Sequence, residues 1–167
     1  MVRDQAEIKN FQELLEQMHA VRLNDPAEYN SLSEQLRSAM KREHTQAQAK
    51  LSQAGWEVRQ SWRELSGERR EAVATASVAD HVQRVDDRRD LRDDHIDRAA
   101  AGSRTNRMQS LIGKSNALQP AIGQGHEEAM VRNRRLMGEF LELMRADLRA
   151  TASELGEGHE RLSDGRK

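Results

Sequence analysis

The stretch from Asp25 to Leu65 limits the fold more than any other part of the chain. Its apolar residues stand at Tyr29, Leu32, Leu36, Met40, Ala47, Leu51, Ala54, Val58, Trp62 and Leu65, which is the spacing of one long amphipathic helix. Tyr29, Met40, Leu51 and Trp62 recur every 11 residues, a repeat of about 3.67 residues per turn that stays close to the natural helix period. Other helices are the natural cover for such a stripe, and Trp62 falls within the seam with Trp56 just off it. No stretch alternates with the two-residue period of a strand. The expected fold class is all-α, an elongated antiparallel helical bundle or coiled coil with long amphipathic helices.

Around this scaffold the chain punctuates itself. Asp4 followed by Glu7 has capping-box character, and Ile8, Phe11, Leu14, Leu15, Met18 and Val21 then recur at helical spacing, predicting a first helix over 5–23. At Asn24-Asp25-Pro26-Ala27-Glu28 one helix ends and the next begins, with Asp25 as cap and Pro26 at the first helical position, where its missing N–H costs nothing. Ser66-Gly67 reads as a weak break. A helical pattern resumes through Val73, Ala76, Val78, Val82 and Val85, and thins out beyond it. Gly102-Ser103 predicts a further break and Arg104 to Ile112 a short helix, followed by a non-regular connection across Gly113, Pro120 and Gly125. The last helix runs over 127–155, until Gly156 and Gly158. The expected organisation is a helical scaffold over 1–101, a Gly-containing basic connection over 102–126, a C-terminal amphipathic helix over 127–155 and a disordered tail over 156–167.

Composition narrows the function. Hydrophobic residues make up 36% against 33% charged, which suits a narrow apolar seam better than a thick core. The 27 basic and 28 acidic residues nearly cancel, so a general nucleic-acid binder is disfavoured. There is no cysteine, which excludes disulfides and thiolate metal sites. Asp4, Glu7, Glu13 and Glu16 interrupt the first apolar segment, so it reads as neither a signal peptide nor a transmembrane span, and a cytoplasmic location is expected. The excess of Arg over Lys fits a GC-rich bacterial genome.

Catalytic and cofactor chemistry find no support in the motifs. Gly113-Lys114-Ser115 resembles the end of a phosphate loop, but position 108 is Met where that motif needs Gly, so a turn is preferred. Asp86, Asp90, Asp93 and Asp97 share a helix face with Asp94 and His95 nearby. Interleaved arginines and the absence of a calcium-loop spacing favour a solvated face over a metal site. His126-Glu127 lacks the second His of a zinc helix. No nucleophile, base and orienting group fall together, so no enzyme, cofactor or metal is expected.

Two features remain. From Arg98 to His126 there is no acidic residue, while Arg104, Arg107 and Lys114 are candidates for binding an acidic protein, a nucleic-acid backbone or an anionic surface. On the last helix Met130, Met137 and Met144 recur every seven residues beside Phe140; that spacing suits a core, and any exposed part would suit a partner helix. Val131-Arg132-Asn133-Arg134-Arg135-Leu136-Met137, continuing through Phe140-Leu141-Glu142-Leu143-Met144, resembles the C-terminal helix of flagellar export chaperones of the FlgN type. The resemblance implies a type III secretion function in which Met137, Phe140, Leu141, Met144 and Leu148 hold the C-terminal helices of unassembled hook-associated subunits. The expected function is a non-enzymatic helical interaction protein, a chaperone or adaptor, with Met130, Met137, Phe140, Leu141, Met144 and Leu148 facing the partner. The alternatives are a structural coiled-coil subunit that self-associates as a homo-oligomer, and a backbone-type nucleic-acid or anionic-surface binder using the 98–126 segment.

Overall fold

A computed structural model describes the backbone of residues 2–21, 25–71 and 78–164, with their side chains except at 2, 64, 67–71, 78–84, 86 and 154–164. Four α-helices account for nearly all of it: α1 Val2–Ala20, α2 Pro26–Glu71, α3 Val78–Gly123 and α4 Glu127–Asp164. No strand occurs among the described residues, and the chain is all-α. It divides into two compact units, Met1–His44 with Asn106–Lys167, and Thr45–Thr105.

Local chemistry explains the helix ends. Asp25 caps α2, its Oδ1 accepting the Glu28 backbone N–H at 3.1 Å, and Pro26 is the first helical residue. The capping box read at Asp4 is not realised, because α1 begins at Val2 and places Asp4 inside its first turn. There its charge favours the positive helix end, while Glu7 pairs with Arg3 at 3.2 Å. Between α3 and α4 the chain turns on Gly125, whose φ of 77° lies in the left-handed region that glycine adopts without a Cβ penalty. The Gly125 N–H donates to the Ile122 carbonyl at 2.9 Å and the His126 N–H to the Ala121 carbonyl at 3.0 Å, the paired bonds of a Schellman ending.

The expected interruptions give way to continuous helix. α2 passes Ser66-Gly67, α3 passes Gly102-Ser103, Gly113 and Pro120, and α4 passes Gly156 and Gly158 as far as Asp164. The predicted connection over 102–126 is therefore mostly the end of α3, the turn expected at Gly113-Lys114-Ser115 is helical, and most of the expected tail is helical; residues 165–167 lie outside the described ones. Each interior glycine costs about 1 kcal/mol relative to Ala and Pro about 3 kcal/mol. In α3 that cost is offset by burying Met108, Leu111, Ile112 and Ile122, each contributing about 1.5–3 kcal/mol. The scaffold expected over 1–101 is also redrawn, since the N-terminal and C-terminal portions of the chain fold together and the middle forms its own unit.

In the first unit the helices alternate in direction, as the running order of their contacts shows. α1 opposes α4, with Phe11 stacked on Phe140 and the Val21 carbonyl, just past α1, bonded to Arg134. α2 runs with α4, through Tyr29 to Met130 and Ser33 to Asn133. α3 opposes α4, through Ser115 to Asn133 and Arg107 to Glu139. This is an up-down-up-down four-helix bundle, with Phe11, Met18, Tyr29, Leu36, Met40, Met108, Leu111, Met130, Met137 and Phe140 in its core.

In the second unit α2 and α3 form an antiparallel pair. Leu51 meets Gly102, Gly55 lies under the Arg98 guanidinium, and Trp62 meets His95. A Cβ at Gly55 would come within 3.1 Å of Arg98 Nη2, so a larger residue there requires the guanidinium to shift by a few tenths of an ångström. Val58 and Leu91 are buried. Trp62, expected within the seam, is instead 54% exposed. Two helices can bury the line of residues directly between them, and the flanking positions of a broad stripe stay at the surface.

Candidate functional site

α4 touches each of the other helices in the first unit. Its residues 130, 133, 137, 140 and 144 follow the alternating three- and four-residue spacing of a bundle seam. Met130, Met137 and Phe140 are fully buried, Leu141 and Met144 nearly so, and Leu148 is half-buried. The methionine face therefore lies inside the bundle in this conformation. Phe140 carries α1 directly, its ring stacked on Phe11 with centroids 5.8 Å apart and planes inclined by 24°, an arrangement that adds about 0.5–1.5 kcal/mol beyond area burial. Arg145 Nη2 donates to Gln12 Oε1 at 2.8 Å beside it.

Within the seam sits a polar layer. Asn133 is fully buried; its Oδ1 accepts from Ser115 Oγ of α3 at 2.7 Å, and its Nδ2 donates to Ser33 Oγ of α2 at 3.0 Å. One amide thus joins three helices. A turn away, the Tyr29 hydroxyl donates to the Met130 carbonyl at 2.6 Å, and the Arg134 guanidinium lies 5.2 Å from the Tyr29 ring centroid while Nη2 donates to the Val21 carbonyl at 2.8 Å. That carbonyl follows the end of α1, where a cation complements the helix dipole. Burial pushes the Tyr29 phenol above its ordinary pKa, outweighing the opposite pull of its hydrogen bond with Asn133 and of the Arg134 charge. Gln119 and Asn30 hydrogen-bond between α3 and α2.

Asn133 and Tyr29 were not among the candidate site residues read from the sequence. The signal for Asn133 was there, since it lies three residues after Met130 and four before Met137 and so occupies a seam position. A polar residue at such a position specifies register and partner at some cost in stability.

The three candidate anion-binding residues, Arg104, Arg107 and Lys114, all stand on α3. Arg104 belongs to the second unit; Arg107 and Lys114 belong to the first. Arg107 lies 3.6 Å from Glu139, which removes part of its appeal to an anion, and Lys114 is exposed on α3. Ser115, the last residue of the phosphate-loop-like tripeptide, points into the polar layer. Asp90, Asp93 and Asp97 are exposed, and among the described residues no three His or carboxylate side chains converge as metal ligands. No described helix is long and apolar enough to cross a membrane. Compared with protein-family models, curated proteins and solved structures, the chain finds no match.

Proposed function

We propose that the chain is a non-enzymatic helical interaction protein that receives an amphipathic partner helix on α4, a chaperone or adaptor of the kind its last helix resembles. The observation that carries this reading is the seating of α1. A 19-residue amphipathic helix already lies along α4 with Phe11 on Phe140, so the geometry of α4 suits the class of ligand proposed. A partner helix would take the place of α1 and meet Phe140, Leu141, Met144 and Leu148, while Met130 and Met137 remain with the polar layer. Such binding is an exchange of one helix for another, and its affinity is set by the difference between the two.

The test is binding of a labelled peptide with the sequence of residues 2–20 to the full chain and to its Phe11→Ala variant, followed by fluorescence anisotropy. Weakening the resident helix is expected to tighten peptide binding by about tenfold or more, with helicity by circular dichroism retained. Equal affinities, or no binding to either, would contradict the proposal.

Self-association is the second reading, favoured by the large apolar side chains exposed in the second unit, Trp56, Trp62, Val85 and Ile96. Light scattering over a concentration series is its measurement. A mass that rises toward a dimer and reverts in Trp56→Ser with Ile96→Ser supports it, and a constant monomer mass excludes it.

A further inference from the structure

The antiparallel pair of the second unit carries a groove of about 540 Å³ lined by Trp62, Leu65 and Ser66 of α2 and by Arg88, Leu91, Arg92 and His95 of α3. We infer that this groove binds a small amphiphilic anion, an arene or short acyl chain bearing a carboxylate or sulfonate. It is distinct from α4 and does not depend on the partner-helix proposal.

Size argues for a small ligand. The volume falls in the range of about 300–1,000 Å³ typical of drug-sized ligand sites. The α3 side, residues 88–95, spans about 10 Å at the helical rise, a length that a short acyl chain or a fused aromatic fills and that a long partner helix would greatly exceed.

Chemistry supplies the rest. The lining residues at 88, 91, 92 and 95 fall on one face of α3, and those at 62, 65 and 66 on one face of α2, so the trough has apolar walls in Trp62, Leu65 and Leu91. Among the described lining residues the charged members are both cationic: Arg88 and Arg92, each exposed and neither joined to an acid among the described residues. None of the described residues that line the groove is acidic. The Trp62 Nε1–H is already satisfied, donating to His95 Nε2 at 3.1 Å, which holds the indole against α3. An apolar body would pack on the indole and leucines while a carboxylate took charge-assisted hydrogen bonds from one or both guanidiniums.

The experiment uses the full chain in a Trp56→Phe background, so that indole emission reports Trp62 alone. Decanoate, decanol and decyltrimethylammonium are titrated below their micelle concentrations. Decanoate is expected to change the emission saturably, decanol to bind about tenfold more weakly or worse, and the cation not to bind. Arg88→Gln with Arg92→Gln should weaken decanoate by about tenfold or more with the circular dichroism unchanged. Decanoate that does not saturate, equal affinity for decanoate and decanol, or an affinity unmoved by the double substitution would overturn the assignment. So would an acidic amphipathic peptide that shifts Trp62 emission where decanoate does not, which would make the groove a peptide site.

Discussion

Asn133 is the residue whose removal should cost most for its size. Replacing it with Leu leaves the Ser33 and Ser115 hydroxyls buried without their partner, and a buried polar group that loses its hydrogen bond costs about 1–3 kcal/mol. Asn133→Leu is expected to lower the denaturant midpoint by a corresponding amount. Adding Ser33→Ala and Ser115→Ala should recover most of it, since the three side chains act as one network. Tyr29 makes a second prediction. Its raised pKa means that the folded state holds the phenolic proton more tightly than the unfolded chain, where tyrosine titrates near about 10. The resulting stability is complete below that pH and is lost as the pH rises through the higher folded-state value. Because the chain has one tyrosine, tyrosinate absorbance should appear only above the ordinary value and coincide with loss of helicity, and titration at the ordinary value with helicity intact would contradict the buried placement. At this scale the sequence was partly legible. The periodicity placed Tyr29 on the buried stripe, but a hydrogen-bond network across three helices depends on which seam positions meet, and that register is a tertiary property.

The helices themselves were legible in kind and less so in extent. Asp25-Pro26 marked a true start because a cap and a proline act locally. Gly102, Gly113 and Pro120 were misleading because their cost is also local, whereas the burial that offsets it comes from partners distant in sequence. The distinction can be measured with two glycines of α3 and its turn. An added Cβ at Gly113 meets nothing within 4 Å, so Gly113→Ala should stabilise by about 1 kcal/mol. Gly125 has positive φ, so Gly125→Ala should destabilise by about 1–2 kcal/mol. Chemical denaturation of the two variants checks both signs; destabilisation by Gly113→Ala would mean that α3 does not run through that position. The methionine spacing of α4 suits a buried seam or a docking face, and in this conformation Met130, Met137 and Met144 are buried.

On the scale of the molecule, the division into units could not be read from composition, because the same two helices, α2 and α3, contribute to both. Their sequence changes character gradually. What distinguishes the units is the number of helices sharing each stretch of stripe: four in the first, which buries Tyr29, Leu36 and Met40, and two in the second, which leaves Trp62 in an open groove. The same difference separates the two proposed activities, helix exchange on α4 and capture of an amphiphilic anion between α2 and α3. Helix exchange is the central claim, and hydrogen exchange tests it most directly. With a saturating, isotopically distinguishable peptide of residues 2–20 added to the full chain, amide protection in the chain's own α1 should fall while protection over 129–144 of α4 stays high. Unchanged protection of α1 with the peptide bound, or loss of protection in α4, would show that the partner helix does not take the place of α1.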